Sequence, residues 1–217
     1  VHSSFGIGPE MSVNVPLATF PYAAMGIYTN IQIQKNFHLS AAVYDGHPNT
    51  EIGYLKSYDF SLNSKRGLFW IGEIDYQITK EKTQLSTYKM GVWSLQGHSQ
   101  RESGFYAIMD QTLLTENEDP TQGLHAFAQY GRIPNNASVF SNYKGLGMVY
   151  YGAFKKRAQD QLGLAWGQGN LSDTYRNNLS RSSDRSETVI EAYYNYVISD
   201  QLEVQLDSQY IVNPGVD

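Results

Sequence analysis

The 217-residue chain contains no cysteine, so disulfide scaffolds, thiolate zinc sites and cysteine nucleophiles are excluded. Only 41% of its residues are hydrophobic, and its mean hydropathy is −0.43. The one long charge-free stretch, 11–34, is interrupted by proline, asparagine and glutamine, which excludes a transmembrane helix there. Basic clusters are also missing: 16 Lys and Arg stand against 21 Asp and Glu, a net charge of −5, which argues against a nucleic-acid partner.

The chain does contain a recurrent alternation of apolar and polar residues, and almost no segment keeps a helical period. In the clearest segment, 202–212, the side chains of Leu202, Val204, Leu206 and Tyr210 share one face, and acidic and amide side chains share the other. The sequence therefore predicts an all-β protein of about ten strands. The strands are predicted at 27–34, 37–43, 68–78, 84–94, 106–114, 123–131, 143–154, 161–169, 190–198 and 202–212.

The predicted connections alternate between short and long. Short links are predicted at 35–36, 79–82, 115–122, 155–160 and 199–200, and longer polar stretches at about 45–66, 94–105, 132–142 and 170–187. An antiparallel meander would place all short links at one end, as in outer-membrane barrels, whereas Greek-key connections of a sandwich mix lengths at both ends. The pattern favours an antiparallel up-and-down transmembrane β-barrel. A soluble or surface sugar-binding β-sandwich remains the alternative, because the alternation itself is the same in both.

Short blocks with glycine, proline or aromatic residues are spaced along the chain at 3–10, 21–26, 43–48, 123–131, 145–152, 191–194 and 209–215, with Arg157, Asp160 and Gly163 between them. In order and spacing these blocks resemble the carbohydrate-selective outer-membrane porins of the OprB type. Their collinear order over essentially the whole chain makes the resemblance specific.

The resemblance implies a sixteen-stranded barrel in the outer membrane of a Gram-negative bacterium, of which this chain is a C-terminal portion. We therefore expect one porin β-barrel domain over 1–217, incomplete at both ends. The implied function is diffusion of carbohydrates, monosaccharides such as glucose or similar small neutral sugars, through a polar lumen. The implied partners are small carbohydrates and outer-membrane lipid, and a homo-oligomer is one option. No cofactor, metal or nucleic acid is expected.

Polar residues on the inward face are the candidate substrate-binding residues. Carboxylates and amides can hydrogen bond with sugar hydroxyls, and tyrosine rings can pack on sugar C–H faces. Any water-filled lumen is polar, however, so most such residues would line it without binding. The candidates are Glu73, Asp75, Gln77, Glu191, Tyr193, Asn195, Glu203, Gln205 and Asp207.

The charges of these candidates predict a weak cation preference, because a ring of carboxylates in a narrow aqueous path repels anions. Basic residues are instead predicted in the long connections, outside the wall. They are Arg101, Arg132, Arg176, Arg181 and Arg185.

A glycoside hydrolase is a further alternative. Glu73 and Asp75 lie two apart on one strand face, about 6.6–7 Å between Cα atoms, a spacing that would suit paired catalytic carboxylates. Acidic pairs are also common channel lining, and the five histidines show no metal-ligand spacing, so we expect no enzyme. Arg157 and Asp160 are expected to form a turn ion pair that is worth little energetically.

Overall fold

The computed structural model describes residues 11, 13–15, 24–46, 67–80, 83–96, 101–116, 122–134, 138–178 and 185–214. Ten strands form one sheet in which each strand pairs antiparallel with its neighbours in the sequence. The strands are β1 (Gly26–Gln34), β2 (Phe37–Asp45), β3 (Leu68–Lys80), β4 (Thr83–Gln96), β5 (Arg101–Thr115), β6 (Gly123–Arg132), β7 (Phe140–Tyr151), β8 (Gln161–Leu171), β9 (Ser186–Ser199) and β10 (Leu202–Val212). The predicted all-β class, strand number and meander order are confirmed.

The connections at one end of the sheet join β1 to β2, β3 to β4, β5 to β6, β7 to β8 and β9 to β10. Because every pairing is antiparallel and sequential, the turns at 35–36 and 200–201 lie at this same end, as the sequence predicts. We call it the short-turn end and the opposite one the long-loop end. At the long-loop end, the connections 46–67 and 172–185 are long.

The predicted difference in loop length holds only in part. The connection between β6 and β7, 133–139, is no longer than the one between β5 and β6, 116–122, and one predicted long loop is wrong. β4 continues to Gln96 and β5 begins at Arg101, and these two residues pair directly, so most of the predicted loop 94–105 is strand. Arg132 was likewise predicted in a long connection, but it is the last residue of β6. Polar composition does not end a strand whose backbone groups still find ladder partners. The predicted blocks at 3–10, most of the predicted loop 45–66 and Arg181 lie outside the described residues.

The connection between β8 and β9 contains the short helix α1 (Asp173–Asn178). Ser172 caps it, because its Oγ accepts a hydrogen bond from the backbone N–H of Tyr175 at 3.1 Å. The backbone N–H of Ser172 also donates to the carbonyl of Val139 at 2.9 Å, which ties this loop to the one before β7. Among the described residues, no helix is long and apolar enough to cross a bilayer.

The sheet has two chemically different faces. Ile74 pairs with Met90, and Leu146 pairs with Trp166, so these side chains share one face. That face is apolar and exposed, with Met90 67% and Leu146 52% accessible. We call it the outer face, and the opposite, largely polar face, which includes Glu73, the inner face.

An exposed apolar face of this extent excludes the sandwich alternative. A sandwich buries its apolar side chains between two packed sheets, whereas the ten strands here form a single sheet whose apolar side chains are exposed. Large exposed apolar surfaces mark contact with lipid or protein, and an apolar band around polar-in strands is the pattern of membrane barrels.

A small apolar cluster lies on the inner face at the long-loop end. The largely buried side chains of Phe69, Trp93, Leu95 and Ile133 pack there with Val15, which precedes β1. The neighbouring Asn14 anchors this segment, because its side-chain amide exchanges two hydrogen bonds with the backbone of Phe140, at 2.6 and 3.0 Å. Asn14 and Val15 therefore lie against the inner wall.

Candidate functional site

Glu73 is the centre of a polar cluster on the inner face of β3–β5. One of its carboxylate oxygens, Oε1, accepts from Lys89 Nζ at 3.2 Å, and Oε2 accepts from the Tyr106 hydroxyl at 2.7 Å. The side chain of Lys89 is 37% exposed and that of Glu73 is 19% exposed, so the pair borders solvent. The cluster presents an anion, a cation and a phenol to the inner space.

Asp75 forms a second cluster one step along β3. Its Oδ1 accepts from Gln77 Nε2 at 2.8 Å and lies 3.5 Å from His38 Nδ1. Gln77 Nε2 also lies 3.4 Å from that ring nitrogen. The carboxylate is buried, with 5% of the residue exposed, while the amide and imidazole are partly open. Donors and acceptors thus alternate along this part of the wall.

A third polar group lies on β9 and β10. The buried Glu191 accepts from Gln209 Nε2 at 2.6 Å, and Asn195 Nδ2 donates to Glu203 Oε2 at 3.0 Å. The same register places Tyr193 opposite Asp207 and Asn195 opposite Gln205. Carboxylates and amides therefore cross-link the two strands on the inner face.

All nine predicted lining residues share the inner face, but they form two separate groups. Glu73, Asp75 and Gln77 lie on β3, the remaining six lie on β9 and β10, and β4–β8 separate the groups in the sheet. Sugar contact by any of them stays a prediction. The six are Glu191, Tyr193, Asn195, Glu203, Gln205 and Asp207.

The sequence interpretation left the face of Lys89 open and did not join Tyr106 to Glu73, although these two residues complete the Glu73 cluster. The parity of β4 was the available signal for Lys89: Tyr88, Met90 and Val92 form an apolar set, which requires Lys89 to point to the other face. No comparable local signal joins Tyr106 to Glu73, because that contact spans two strand pairings.

Glycines let several aromatic rings lie flat on the inner wall. A side chain added at Gly91 would collide with the Tyr106 ring, and one added at Gly163 would collide with the Tyr193 ring. Each ring therefore covers a glycine on the adjacent strand, a packing that compensates for glycine in a sheet. This packing fixes the positions of the ring hydroxyl groups.

At the short-turn end, Asp160 joins the β7–β8 turn to β9. Its two carboxylate oxygens accept from Arg157 Nε at 2.8 Å and Nη2 at 2.7 Å. The Tyr194 hydroxyl and, at 3.0 Å, the backbone N–H of Val197 also donate to it. The Arg157 guanidinium lies 3.7 Å from the centroid of the Tyr196 ring. We call this set the Asp160 clamp.

Because Asp160 is buried, its ion pair with Arg157 is expected to contribute more to stability than the sequence indicated. Asp160 is only 2% exposed, and low worth is typical of solvent-exposed pairs. Hydrogen bonds from Arg157, followed by those from Tyr194 and the Val197 backbone, lower the pKa of Asp160 from 3.8 to about 2, against the opposing effect of burial. The carboxylate is therefore ionised at every pH above that range.

Asp160→Asn is expected to lower the thermal stability of the folded barrel, because the clamp loses its charge and Arg157 loses its anion. Heat-dependent mobility on gels measures this stability. Since the folded-state pKa is depressed, the stabilisation is present above the ordinary pKa of 3.8 and is lost as the pH falls towards 2. The difference in thermal stability between the parent and Asp160→Asn should therefore persist from pH 8 to pH 5.

Glu116→Gln is the matched control for Asp160→Asn. This exposed carboxylate lies at the same end and accepts one hydrogen bond, from Tyr150 at 3.2 Å. A melting temperature lowered equally by both substitutions would contradict a special role for the clamp.

The described residues contain no group of three or more histidine and carboxylate side chains that could hold a metal ion. Both carboxylates of the Glu73 and Asp75 pair already have partners within the wall: Glu73 is held by Lys89 and Tyr106, and Asp75 by Gln77.

A meander with an apolar outer face, a polar inner face and a chain segment folded onto the inner wall defines a transmembrane β-barrel of the porin class. Two solved structures of Pseudomonas putida OprB, at high and low pH, share this fold, with TM-scores of 0.76 and 0.62 and sequence identities of 20% and 19%. They cover 90% and 86% of this chain, which in turn spans 55% and 50% of those chains.

The sequence comparison is consistent with the fold. Porin B of Pseudomonas aeruginosa is 30% identical over 128 residues, which is 52% of this chain and 28% of that protein. The model of the carbohydrate-selective porin family OprB matches residues 93–217. The chain belongs to the OprB family of carbohydrate-selective porins, and the predicted family and outer-membrane location are confirmed.

Proposed function

We propose that this chain forms part of the wall of an outer-membrane channel for small neutral sugars, monosaccharides such as glucose. The observation that carries the proposal is the inner face itself. Carboxylates there are held by a phenol, an ammonium group and amides, beside tyrosine rings that lie flat on the wall. This chemistry matches vicinal hydroxyl groups, which donate and accept at once and present C–H faces to aromatic rings.

A channel serves this chemistry better than a closed site. The polar groups lie on β2–β5 and on β9–β10, and several of them, such as Lys89 and Gln77, are partly open, so a sugar would exchange one set of weak contacts for the next. Conduction requires binding that is favourable enough for entry and weak enough for exit. The family to which the chain belongs is described as carbohydrate-selective, which supports the same substrate class.

Liposome swelling tests the proposal with the complete porin that carries this sequence. Liposomes in isosmotic glucose should swell faster than those in isosmotic gluconate, which has a similar size and a negative charge. Protein-free liposomes and liposomes with Tyr106→Phe porin provide the controls. The phenylalanine variant keeps the ring over Gly91 but removes the hydroxyl that holds Glu73 Oε2, while Lys89 still holds Oε1, so glucose entry should fall while the barrel stays folded.

Two results would overturn the proposal: glucose entry no faster than in protein-free liposomes, or gluconate entry as fast as glucose entry. Unchanged glucose entry with Tyr106→Phe would show that the Glu73 cluster does not contact the sugar, and it would leave the proposed channel function intact.

A further inference from the structure

Charges on the strands are sorted between the two faces of the sheet. Carboxylates of the described strands, such as Glu73 and Glu191, lie on the inner face with the exception of Asp45, and the cation Lys89 lies there too, paired with Glu73. Three cations take the opposite side: Arg101, Arg132 and Lys144 lie on the outer face, and all three are exposed. They lie close to the long-loop end.

The register places two of these cations near one another. Arg132 pairs with Phe105 on one side and with Asn142 on the other, and Lys144 is two residues from Asn142 on the same face. Such diagonal neighbours on adjacent strands are about 7–8 Å apart. Long basic side chains at that spacing can reach a single anionic group.

No protein anion neutralises the three cations in the described part of the chain. None of them forms an ion pair with a described carboxylate. The carboxylate that shares their face is Asp45, which is 7% exposed and lies on β2, with β3 and β4 between it and Arg101. Uncompensated like charges at the edge of an apolar surface attract external anions.

A cleft of about 390 Å³ adjoins these cations. Exposed apolar side chains of the outer face make up much of its lining, namely Trp70, Val92 and Phe105. Arg101 also lines it, together with the polar residues Ser94, Gln96 and Ser103. Phe105 is the cross-strand partner of Arg132, so the cleft and the basic residues are continuous. An apolar cleft that ends at cations suits a molecule with a hydrocarbon chain and an anionic head.

We propose that Arg101, Arg132 and Lys144 bind the phosphate groups of a phosphorylated lipid in the membrane leaflet at the long-loop end, with an acyl chain in the cleft beside Phe105. Guanidinium groups bind phosphate oxygens in bidentate fashion, and the lysine adds a point charge. Long loops of membrane barrels face the cell exterior, so the lipid belongs to the outer leaflet. Binding would fix the position of the barrel along the membrane normal at the outer leaflet.

Native mass spectrometry of the complete porin with purified lipid A tests this site. The variant Arg101→Gln, Arg132→Gln, Lys144→Gln should bind bisphosphorylated lipid A at least about tenfold more weakly than the parent, since three charge contacts are lost. The control Lys155→Gln, Lys156→Gln removes two exposed cations from the short-turn end and should leave binding unchanged. Dephosphorylated lipid A should bind the parent as weakly as the triple variant binds the phosphorylated form.

Several outcomes would overturn the site. Equal lipid A binding by parent and triple variant would do so, as would an equal loss in the lysine control. Competition by inorganic phosphate at the same concentration as the lipid would exclude a role for the cleft. An oligomer that dissociates in the triple variant, with no lipid bound to the parent, would make this face a subunit contact. If the triple variant fails to fold, Arg132→Gln and Lys144→Gln are compared singly, and binding unchanged in both overturns the proposal.

Discussion

Leu164→Arg is expected to destabilise the barrel in lipid by about 2–4 kcal/mol, the cost of an arginine near the bilayer midplane on a lipid-facing strand. Leu164 is the middle of three apolar outer-face residues on β8, between Leu162 and Trp166, and it is 52% exposed. Its cross-strand neighbours Met148 and Ala192 offer no polar partner. Reversible unfolding by denaturant in phospholipid vesicles measures the free energy of unfolding.

Gln168→Arg provides the matched control, because it lies on the same strand and the same face, four residues nearer the long-loop end. Its cross-strand partner is Lys144, so this level of the sheet already carries a cation. The cost there should be about 0–1 kcal/mol, the value for a charge near the interface. Equal costs at both positions would contradict the assignment of the outer face to lipid.

Neutralising the inner-face carboxylates is expected to change ion selectivity more than any other substitution proposed for the wall. In the combined variant Glu73→Gln, Asp75→Asn, Glu191→Gln, Asp207→Asn, the inner face loses four negative charges and Lys89 loses its anion. The cation-to-anion permeability ratio should fall several-fold, because carboxylates in an aqueous path favour cations. Reversal potentials across a KCl gradient measure this ratio in planar bilayers.

Glu116→Gln combined with Asp200→Asn controls for the loss of carboxylates away from the wall, because both exposed side chains lie at the short-turn end and not on the inner face. This control should leave the reversal potential close to that of the parent. A clear anion preference in the parent would contradict the electrostatic prediction, and glucose entry unchanged in the four-residue variant would exclude these carboxylates as sugar contacts.

The local sequence pattern predicted where the strands lie. It was least accurate at strand ends that consist of polar residues. The strand 202–212 was predicted with its observed bounds, since its alternation is uninterrupted. β4 and β5 extend beyond their predicted ends because Gln96 and Arg101 continue the ladder although they are polar. Hydrophobic alternation indicates which side chains face lipid. A strand, however, ends where its backbone groups no longer find hydrogen-bond partners.

The sequence could predict which face of the sheet carries the candidate site, but not the contacts within it. Alternation with a period of two assigns Glu73 and Asp75 to the inner side without information from any other strand. The partners of these residues depend on register: the Tyr106 hydroxyl that holds Glu73 comes from a residue 33 positions away, on the second strand along. Register is set by turns and by long-range pairing, so single-strand patterns leave it open.

The sequence by itself determined that this protein is a meander of about ten amphipathic strands with one apolar and one polar face, because a two-residue period is a local property of the chain. Only the tertiary structure decided which charges meet. It paired Asp160 with Tyr194 and Val197 across a turn, folded Val15 onto the inner wall and placed Arg132 near Lys144 on the outer face. These contacts join residues that are far apart in the sequence, and they form only when backbone pairing has fixed the register of every strand between them.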